Sequence, residues 1–297
     1  MAGVVADPKN HLMASGHTAC AGCGQAIAAR IVVNAAGKNT IISNATGCLE
    51  VFTTKAPQTA WRVAWIHSLF ENAAAVASGI EAALRYLGKL DEVHVIAQGG
   101  DGGTADIGMG SLSGMLERGH NILYVCYDNE AYMNTGVQRS GLTPLDSNTT
   151  TSPVGKKSCG NPRPKKPLLE IAVAHNVSYA ATASVAWPAD IERKVKKALS
   201  HKGPKFIQIH VPCPLGWRFD SSLTLEVAKL AVETGLYPLV EYENGALIGV
   251  RKIKPKPVEE YLKLQGRYRH LLKLPEALEE VRKVAQANIE KYNLSVN

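Results

Sequence analysis

The sequence predicts an α/β fold: a parallel sheet with helices on both faces, followed by a helical C-terminal arm. Three observations carry this expectation. Apolar, β-branched runs alternate with helix-period segments at the spacing of βαβ units. The loops of unusual composition fall at the carboxyl ends of the strands, where such sheets bind ligands. From Lys256 onward the chain turns charged and helical, with Leu/Tyr/Val periodicity and no second strand-rich unit.

The elements follow in order. After a cysteine-bearing start, NTIISN (39–44) reads as a short buried strand. HSLFENAAAVASGIEAALRYL (67–87) has the alanine density and apolar spacing of a tightly packed helix, ended by Gly88. EVHVIAQ (92–98) is a β-branched strand running into Gly99–Gly103, with a helix expected over 104–118. NILYVCY (121–127) is the next strand and ends at Asp128. The polar, Ser/Thr/Pro/Gly-rich stretch from Ser140 to Lys166 is too long for a simple connection and reads as a binding loop or lid. Then come a helix over 168–175, a strand over 177–182, a helix over 188–199 and a last strand, PKFIQIHV (204–211).

Composition narrows the function classes. The 297 residues are 45% apolar and 20% charged, ordinary for a globular protein. No run of about 18 apolar residues marks a membrane span, and the first 17 residues lack the cationic and apolar regions of a secretory signal. A cytoplasmic protein is the default reading. The formal charge is +7, with basic clusters at 156–166, 193–197 and 251–256. Aromatic residues, 6% of the chain, do not interleave with them, so base-stacking platforms are missing and nucleic acid is not expected.

Six cysteines in such a chain point to metal or redox chemistry rather than to disulfides. Cys20 and Cys23 form a CxxC, Cys48 follows in NATGCLE, and Cys213 lies in HVPCPLGW just past the last strand. Four thiolates suit a structural Zn²⁺ or a [4Fe–4S] cluster. Zinc modules usually pair one CxxC with another; two isolated, distant cysteines favour one cluster. A chance CxxC among buried structural cysteines is the plainer alternative. Cys126, inside NILYVCY, reads as core, and Cys159 as unligated.

Gly99-Gly100-Asp101-Gly102-Gly103 follows a strand and opens a helix, whose N-terminus offers donors to an anion. A carboxylate there would repel phosphates directly. It makes sense as a ligand to Mg²⁺, which in turn holds diphosphate oxygens. Asn129, 28 positions later at the end of the next strand, is placed to be a second ligand, and the Ala131 carbonyl a third. This GDG–Asn spacing resembles the thiamine diphosphate signature. An EF-hand lacks its spaced ligands here. A dinucleotide loop read through Gly100, Gly102 and Ala105 is spoiled by Asp101, and a plain glycine turn is the remaining alternative.

Taken together and in this order, TACAGCGQ, NATGCLEVFTT, TAWRVAWIHSLFENAAAVASG, GGDGGTADIG, CYDNEAYMNTG and VPCPLGW resemble the thiamine-binding β subunit of the pyruvate:ferredoxin oxidoreductase family, from about Cys20 to Trp217. The resemblance implies a thiamine diphosphate-binding α/β domain over 1–220 and an arm over 221–297 that packs on a partner subunit. It makes Cys20, Cys23, Cys48 and Cys213 the ligands of one [4Fe–4S] cluster. Asp101, Asn129 and the Ala131 carbonyl become the Mg²⁺ ligands, and Gly100, Gly102 and Gly103 the diphosphate loop. Asn134 matches a polar residue facing the thiazolium and the bound substrate. Gln25 falls where members often carry Glu near the cofactor.

The implied reaction is oxidative decarboxylation of a 2-oxoacid, pyruvate first, with oxalate or another 2-oxoacid as alternatives. Electrons leave singly through the cluster to ferredoxin, and coenzyme A takes the acyl group when the acid is pyruvate. In split members an α subunit supplies the glutamate that activates the cofactor, beside γ and δ subunits or fusions of them. Neither Glu50 nor Glu71 has a reason to take that role. Arg139, beside the thiamine motif, is a candidate for the substrate carboxylate, and His67 for either catalysis or a packed helix start. Trp61, Trp65 and Trp217 read as core or interface. Two other functions compete: a non-redox thiamine enzyme, with incidental cysteines, and a zinc-stapled binding module. QRSGLTPLDSNTTTSP (138–153) departs from the RSSATPYG-like form associated with pyruvate enzymes, so it leaves the acid open.

Overall fold

The computed structural model describes residues 11–55 and 59–296. The first ten residues, part of the stretch read for a secretory signal, lie outside them. Helix α1 (Gly24–Ala36) precedes β1 (Thr40–Asn44), the short α2 (Cys48–Thr53) and β2 (Ala64–His67). Helix α3 (Ala73–Tyr86) leads into β3 (His94–Gly100), a π-helical turn (Gly103–Ile107), α4 (Met109–Glu117) and β4 (Ile122–Asp128). The long loop holds one small hairpin, β5 (Val154–Gly155) with β6 (Ser158–Cys159). Then α5 (Leu168–Ala174), β7 (Tyr179–Ser184), α6 (Pro188–Ser200) and β8 (Lys205–His210) complete the βαβ units.

Strands β2, β1, β3, β4, β8 and β7 run parallel in that order. Their side chains alternate between two cores, because successive residues of a strand point to opposite faces. Ile122, Tyr124 and Cys126 of β4 enter one core with Ala77 of α3 and Leu112 of α4. Leu123, Val125 and Tyr127 enter the other, with Ile31 of α1 and Val195 of α6. The expected parallel sheet with helices on both faces is thus present.

The chain beyond Ser221 shares this architecture. After the short α7 (Pro214–Trp217) and helix α8 (Thr224–Glu233), β9 (Val240–Glu243) pairs antiparallel with β7 and β10 (Ala246–Val250) with β9, making an eight-stranded sheet. Asn244 (φ 47°) and Gly245 (φ 82°) form their turn, the Asn-Gly signal of a tight hairpin. Helices α9 (Val258–Leu262) and α10 (Pro275–Lys291) then place Tyr261, Val281 and Tyr292 in the same core as Trp217. No helix among the described residues is long and apolar enough to cross a membrane.

Two expectations are corrected. The helix expected from His67 begins only at Ala73, because AWIH forms an edge strand on β1. Its residues are mostly exposed, so apolar spacing could not separate it from the helix that follows. His67 accordingly ends a strand, 2.8 Å from Thr46 Oγ1 through Nε2, and is not a packed helix start. The helix expected over 104–118 starts as the π-helical turn and resumes at Met109; such turns occur frequently at functional sites.

The basic cluster at 193–197 is neutralised within the chain, and the other two in part. Arg193 meets Asp190 and Glu241, Lys197 meets Glu243, and Lys256 meets Glu233. Lys205 is different: only 2% exposed, its Nζ donates to Asn121 Oδ1 at 2.6 Å. Burial, reinforced by Lys202, lowers its pKa from 10.5 to about 8. The unfolded chain therefore holds more protons between those values, so this group's penalty eases as pH rises. The stability gained by Lys205→Met should shrink by about 1 kcal/mol from pH 7 to pH 9, read from urea unfolding at both. An unchanged gap would place the ammonium in water.

Candidate cofactor site

Parallel register brings the strand ends together: Asn44 pairs with Gln98, Gly100 with Tyr127, and Asp128 with His210. A cleft of about 300 Å³ opens there. Gln25, Cys48, Gly100, Asp101, Gly102, Gly103, Asn129, Ala131 and Asn134 all line it, with Phe70 and Tyr132 as aromatic walls. Nine residues separated by up to 109 positions in sequence thus share one cavity. Below it, Tyr127 donates to Gln98 Oε1 at 3.0 Å and Gln98 donates to Asn44 Oδ1 at 2.8 Å, a satisfied polar floor.

The loop glycines have distinct physical roles. A side chain on Gly102 would strike the Tyr132 ring, 2.3 Å from Cε1, so this position excludes any larger residue. The space in front of Gly100 is open for 4 Å, leaving backbone room for a ligand. Gln25 is only 3% exposed and its Oε1 has no partner, an acceptor left waiting at the cleft wall.

At the cleft floor three oxygens converge. Asn129's amide oxygen lies 2.8 Å from the Ala131 carbonyl and 2.9 Å from Asp101 Oδ1; turned over, the amide would donate to both. In octahedral Mg²⁺, ligands at 2.0–2.1 Å put neighbouring oxygens about 2.9 Å apart. The donor set and its spacing therefore fit that ion. Burial first, then the Asp128 charge, push the Asp101 carboxyl well above its ordinary range, against a hydrogen bond from Ser140 Oγ. A cation at this point would reverse that cost.

Asn129 and Ala131 flank Glu130, which has φ 68°. Burial would raise the Glu130 pKa; Lys165 first and Arg267 next more than offset it and hold it down to about 2. Lys165 Nζ lies 2.8 Å from both Asp128 and Glu130, and Arg267 donates to the other Glu130 oxygen at 2.6 Å. His210, fully buried nearby, is lowered to about 3 mainly by burial and stays neutral. Ser140, Glu130, Lys165 and Arg267 were not singled out from sequence. Ser140 and Lys165 lay in the stretch read as a binding loop and Glu130 in a quoted motif; Arg267 carried no signal.

The cysteines gather beside this cleft. Gly24 N donates to the Pro212 carbonyl at 3.2 Å, and a side chain at Gly24 would meet that backbone at 2.9 Å, so the CxxC turn abuts the segment before Cys213. Cys48 caps the cleft from the start of α2. Burial first, and the nearness of Cys213 and the CxxC thiols next, raise Cys48 to about 12; burial with the same neighbours takes Cys23 to about 11. The thiols are thus mutual neighbours, although no three His, Cys, Asp or Glu side chains among the described residues converge to hold a single metal ion. Cys126 is wholly buried core, and Cys159 is free in the small hairpin.

Other candidates fall outside the cleft. Arg139 turns away: its Nε donates to Asn161 Oδ1 at 3.1 Å and it does not line the cavity. Glu50 accepts from Thr54 within its own helix. Trp61 is buried and stacks with Trp65 at 6.3 Å; Trp217 is fully buried.

Fold and cleft define a thiamine diphosphate-dependent enzyme: residues 45–209 match the family described as Thiamine pyrophosphate enzyme, C-terminal TPP binding domain. The chain belongs, more narrowly, to the β subunits of the pyruvate and 2-oxoacid:ferredoxin oxidoreductases, oxidoreductases that work as multi-subunit complexes. It is 57% identical over 291 residues to pyruvate synthase subunit PorB of Methanosarcina barkeri, covering 97% of this chain and 98% of the relative. PorB of Methanocaldococcus jannaschii is 59% identical over 271 residues, 89% and 91% of the two chains. The fold matches a 2-oxoglutarate:ferredoxin oxidoreductase from Magnetococcus marinus, solved with 2-oxoglutarate, coenzyme A and succinyl-CoA, with TM-score 0.60 and 21% identity over 91% and 96% of the chains.

Proposed function

We propose that this chain binds thiamine diphosphate through a Mg²⁺ on Asp101, Asn129 and the Ala131 carbonyl, and one [4Fe–4S] cluster through Cys20, Cys23, Cys48 and Cys213. With partner subunits it converts pyruvate and coenzyme A to acetyl-CoA and CO₂, releasing two electrons singly to ferredoxin in the cytoplasm. The carrying observation is the three-oxygen convergence at the floor of a glycine-walled cleft, with Cys48 on its rim. Pyruvate is favoured by the names of the relatives.

When bound, thiamine diphosphate supplies the carbanion and the electron sink, and the cluster takes electrons one at a time. The chain's own residues position and shield. Gly100 admits the diphosphate close to the backbone, Gly102 leaves the loop room beside the Tyr132 ring, Phe70 and Tyr132 keep water from one side, and the exposed Asn134 is available to substrate. Gln25 Oε1 offers an acceptor to the cofactor. Among the described residues no carboxylate other than Asp101 lines the cleft, in keeping with an activating glutamate from an α subunit. The segment after 220 would present its outer face to a partner subunit.

The isolated chain, reconstituted with cluster and cofactor, should decarboxylate 2-oxoacids at less than about a hundredth of the rate of the complex, since general acid–base help of 10²–10⁴ is missing. Full turnover by the chain alone would overturn the split site. In the complex, ferredoxin reduction is compared with pyruvate, oxalate, 2-oxobutyrate and 2-oxoglutarate, each with and without coenzyme A. Pyruvate with coenzyme A should give the highest kcat/KM; faster reduction by oxalate without coenzyme A would reassign the substrate. Zinc in place of iron, or a colourless protein with full decarboxylase activity, would reject the redox reading.

A further inference from the structure

We propose that Arg267, far along the chain from either motif, is a positioning residue that locks the cation-binding turn to the Cys213 loop. This rests on the reading of Asp101, Asn129 and Ala131 as cation ligands. Glu130 stands between two of them in a left-handed backbone conformation that a non-glycine residue rarely adopts. That conformation lets Asn129 and the Ala131 carbonyl face the same side. Four contacts hold it. Glu130 N donates to Asp128 Oδ1 at 3.1 Å, and Thr143 Oγ1 donates to the Glu130 carbonyl at 2.7 Å. Lys165 grips one carboxylate oxygen and Arg267 the other.

Arg267 also does something Lys165 does not. Its guanidinium lies 3.6 Å above the Trp217 ring, and Trp217 Nε1 donates to the Asn129 carbonyl at 2.8 Å. Trp217 N in turn donates to the Cys213 carbonyl at 2.9 Å, and Gly216 N points at Cys213 Sγ from 3.3 Å. One planar cation therefore touches the turn through Glu130 and the cysteine loop through Trp217. Arg267 is itself fixed: 3% exposed, its Nε donating to Gln265 and an Nη 3.2 Å from Tyr261. A lysine would keep the charge but lose the flat stacking face and the fork of donors.

A buried ion pair can also serve stability alone, so the test must read the cation and the cluster. In the assembled complex, Mg²⁺-dependent thiamine diphosphate binding is titrated without substrate, and the reduced cluster's electron paramagnetic resonance spectrum and midpoint potential are recorded. Arg267→Met should weaken the Mg²⁺ dependence at least tenfold and shift the cluster spectrum. Glu130→Gln, which keeps the shape and fold, should weaken Mg²⁺ with a smaller spectral change. Arg267→Lys should restore Mg²⁺ affinity to within about threefold while the spectrum stays altered. Lys194→Met, which removes a buried cation from the Asp190 pair on the far helix α6, should lower the melting temperature only. The proposal is overturned if Arg267→Met, or Glu130→Gln where the former does not fold, behaves like Lys194→Met. Absence of Mg²⁺-dependent binding in the parent complex would instead sink the underlying site reading, and this proposal with it.

Discussion

Asp101→Asn should abolish useful thiamine diphosphate binding, weakening it by at least about a hundredfold, while the apoprotein becomes more stable. The first effect follows from removing the one charged oxygen of the proposed Mg²⁺ set; even indirect partners of a metal contribute 10–100-fold. The second follows from the apoprotein's electrostatics. Asp101 is 1% exposed and near Asp128, and its folded pKa is raised, so the unfolded chain releases its proton first. The folded apoprotein is therefore penalised increasingly as pH climbs through and above the ordinary carboxylate range, and asparagine escapes that penalty. Calorimetric titration with cofactor and Mg²⁺, beside melts of metal-free protein at pH 5 and pH 8, reads both effects. The melting advantage of the variant should be larger at pH 8. A variant that binds normally would remove Asp101 from the cation site.

Cys48→Ser should strip the cluster without emptying the cleft. Cys48 lines the cofactor cavity and lies near Cys20, Cys23 and Cys213, so it is the thiol through which cofactor and cluster would be neighbours. Iron and the broad visible absorbance of the anaerobically purified chain should fall to background, and ferredoxin reduction by the complex to below about a hundredth of the parent. Thiamine diphosphate affinity should change by no more than a few-fold. Cys126→Ser and Cys159→Ser serve as controls that keep their iron. Iron retained in Cys48→Ser would exclude it from the ligand set.

The parts of this molecule that sequence revealed are those with a local physical signature. Strands such as ILYVCYD are buried on both faces and need unbroken apolar runs, and glycines at 100 and 102 mark where backbone must stay bare. The Asp101–Asn129 spacing was readable because each half ends a strand in neighbouring register. β2 escaped notice because an exposed edge strand of four residues has no buried face to impose a pattern. β9 and β10 had a readable Asn-Gly turn, but it lay beyond the expected boundary. Glu130–Arg267 joins residues 137 apart in sequence, and neither residue's neighbours announce the other. Arg139 is near the thiamine motif along the chain, but what its side chain meets, the Asn161 amide oxygen, lies 22 positions away and leaves no local trace.

The late position of Arg267 has a consequence for the order of synthesis. A ribosome releases the CxxC, Cys48, Asp101 and Asn129 early, and the strands that carry them can pair as they emerge. Neither Cys213 nor the guanidinium that closes over Trp217 exists until most of the chain has been made. A nascent chain would therefore present three of the four proposed cluster thiols and an unlocked turn, poorly shaped to capture stray metal. If the proposed ligands hold, loading would await the synthesis of Cys213 and Arg267 rather than of the earlier motifs alone.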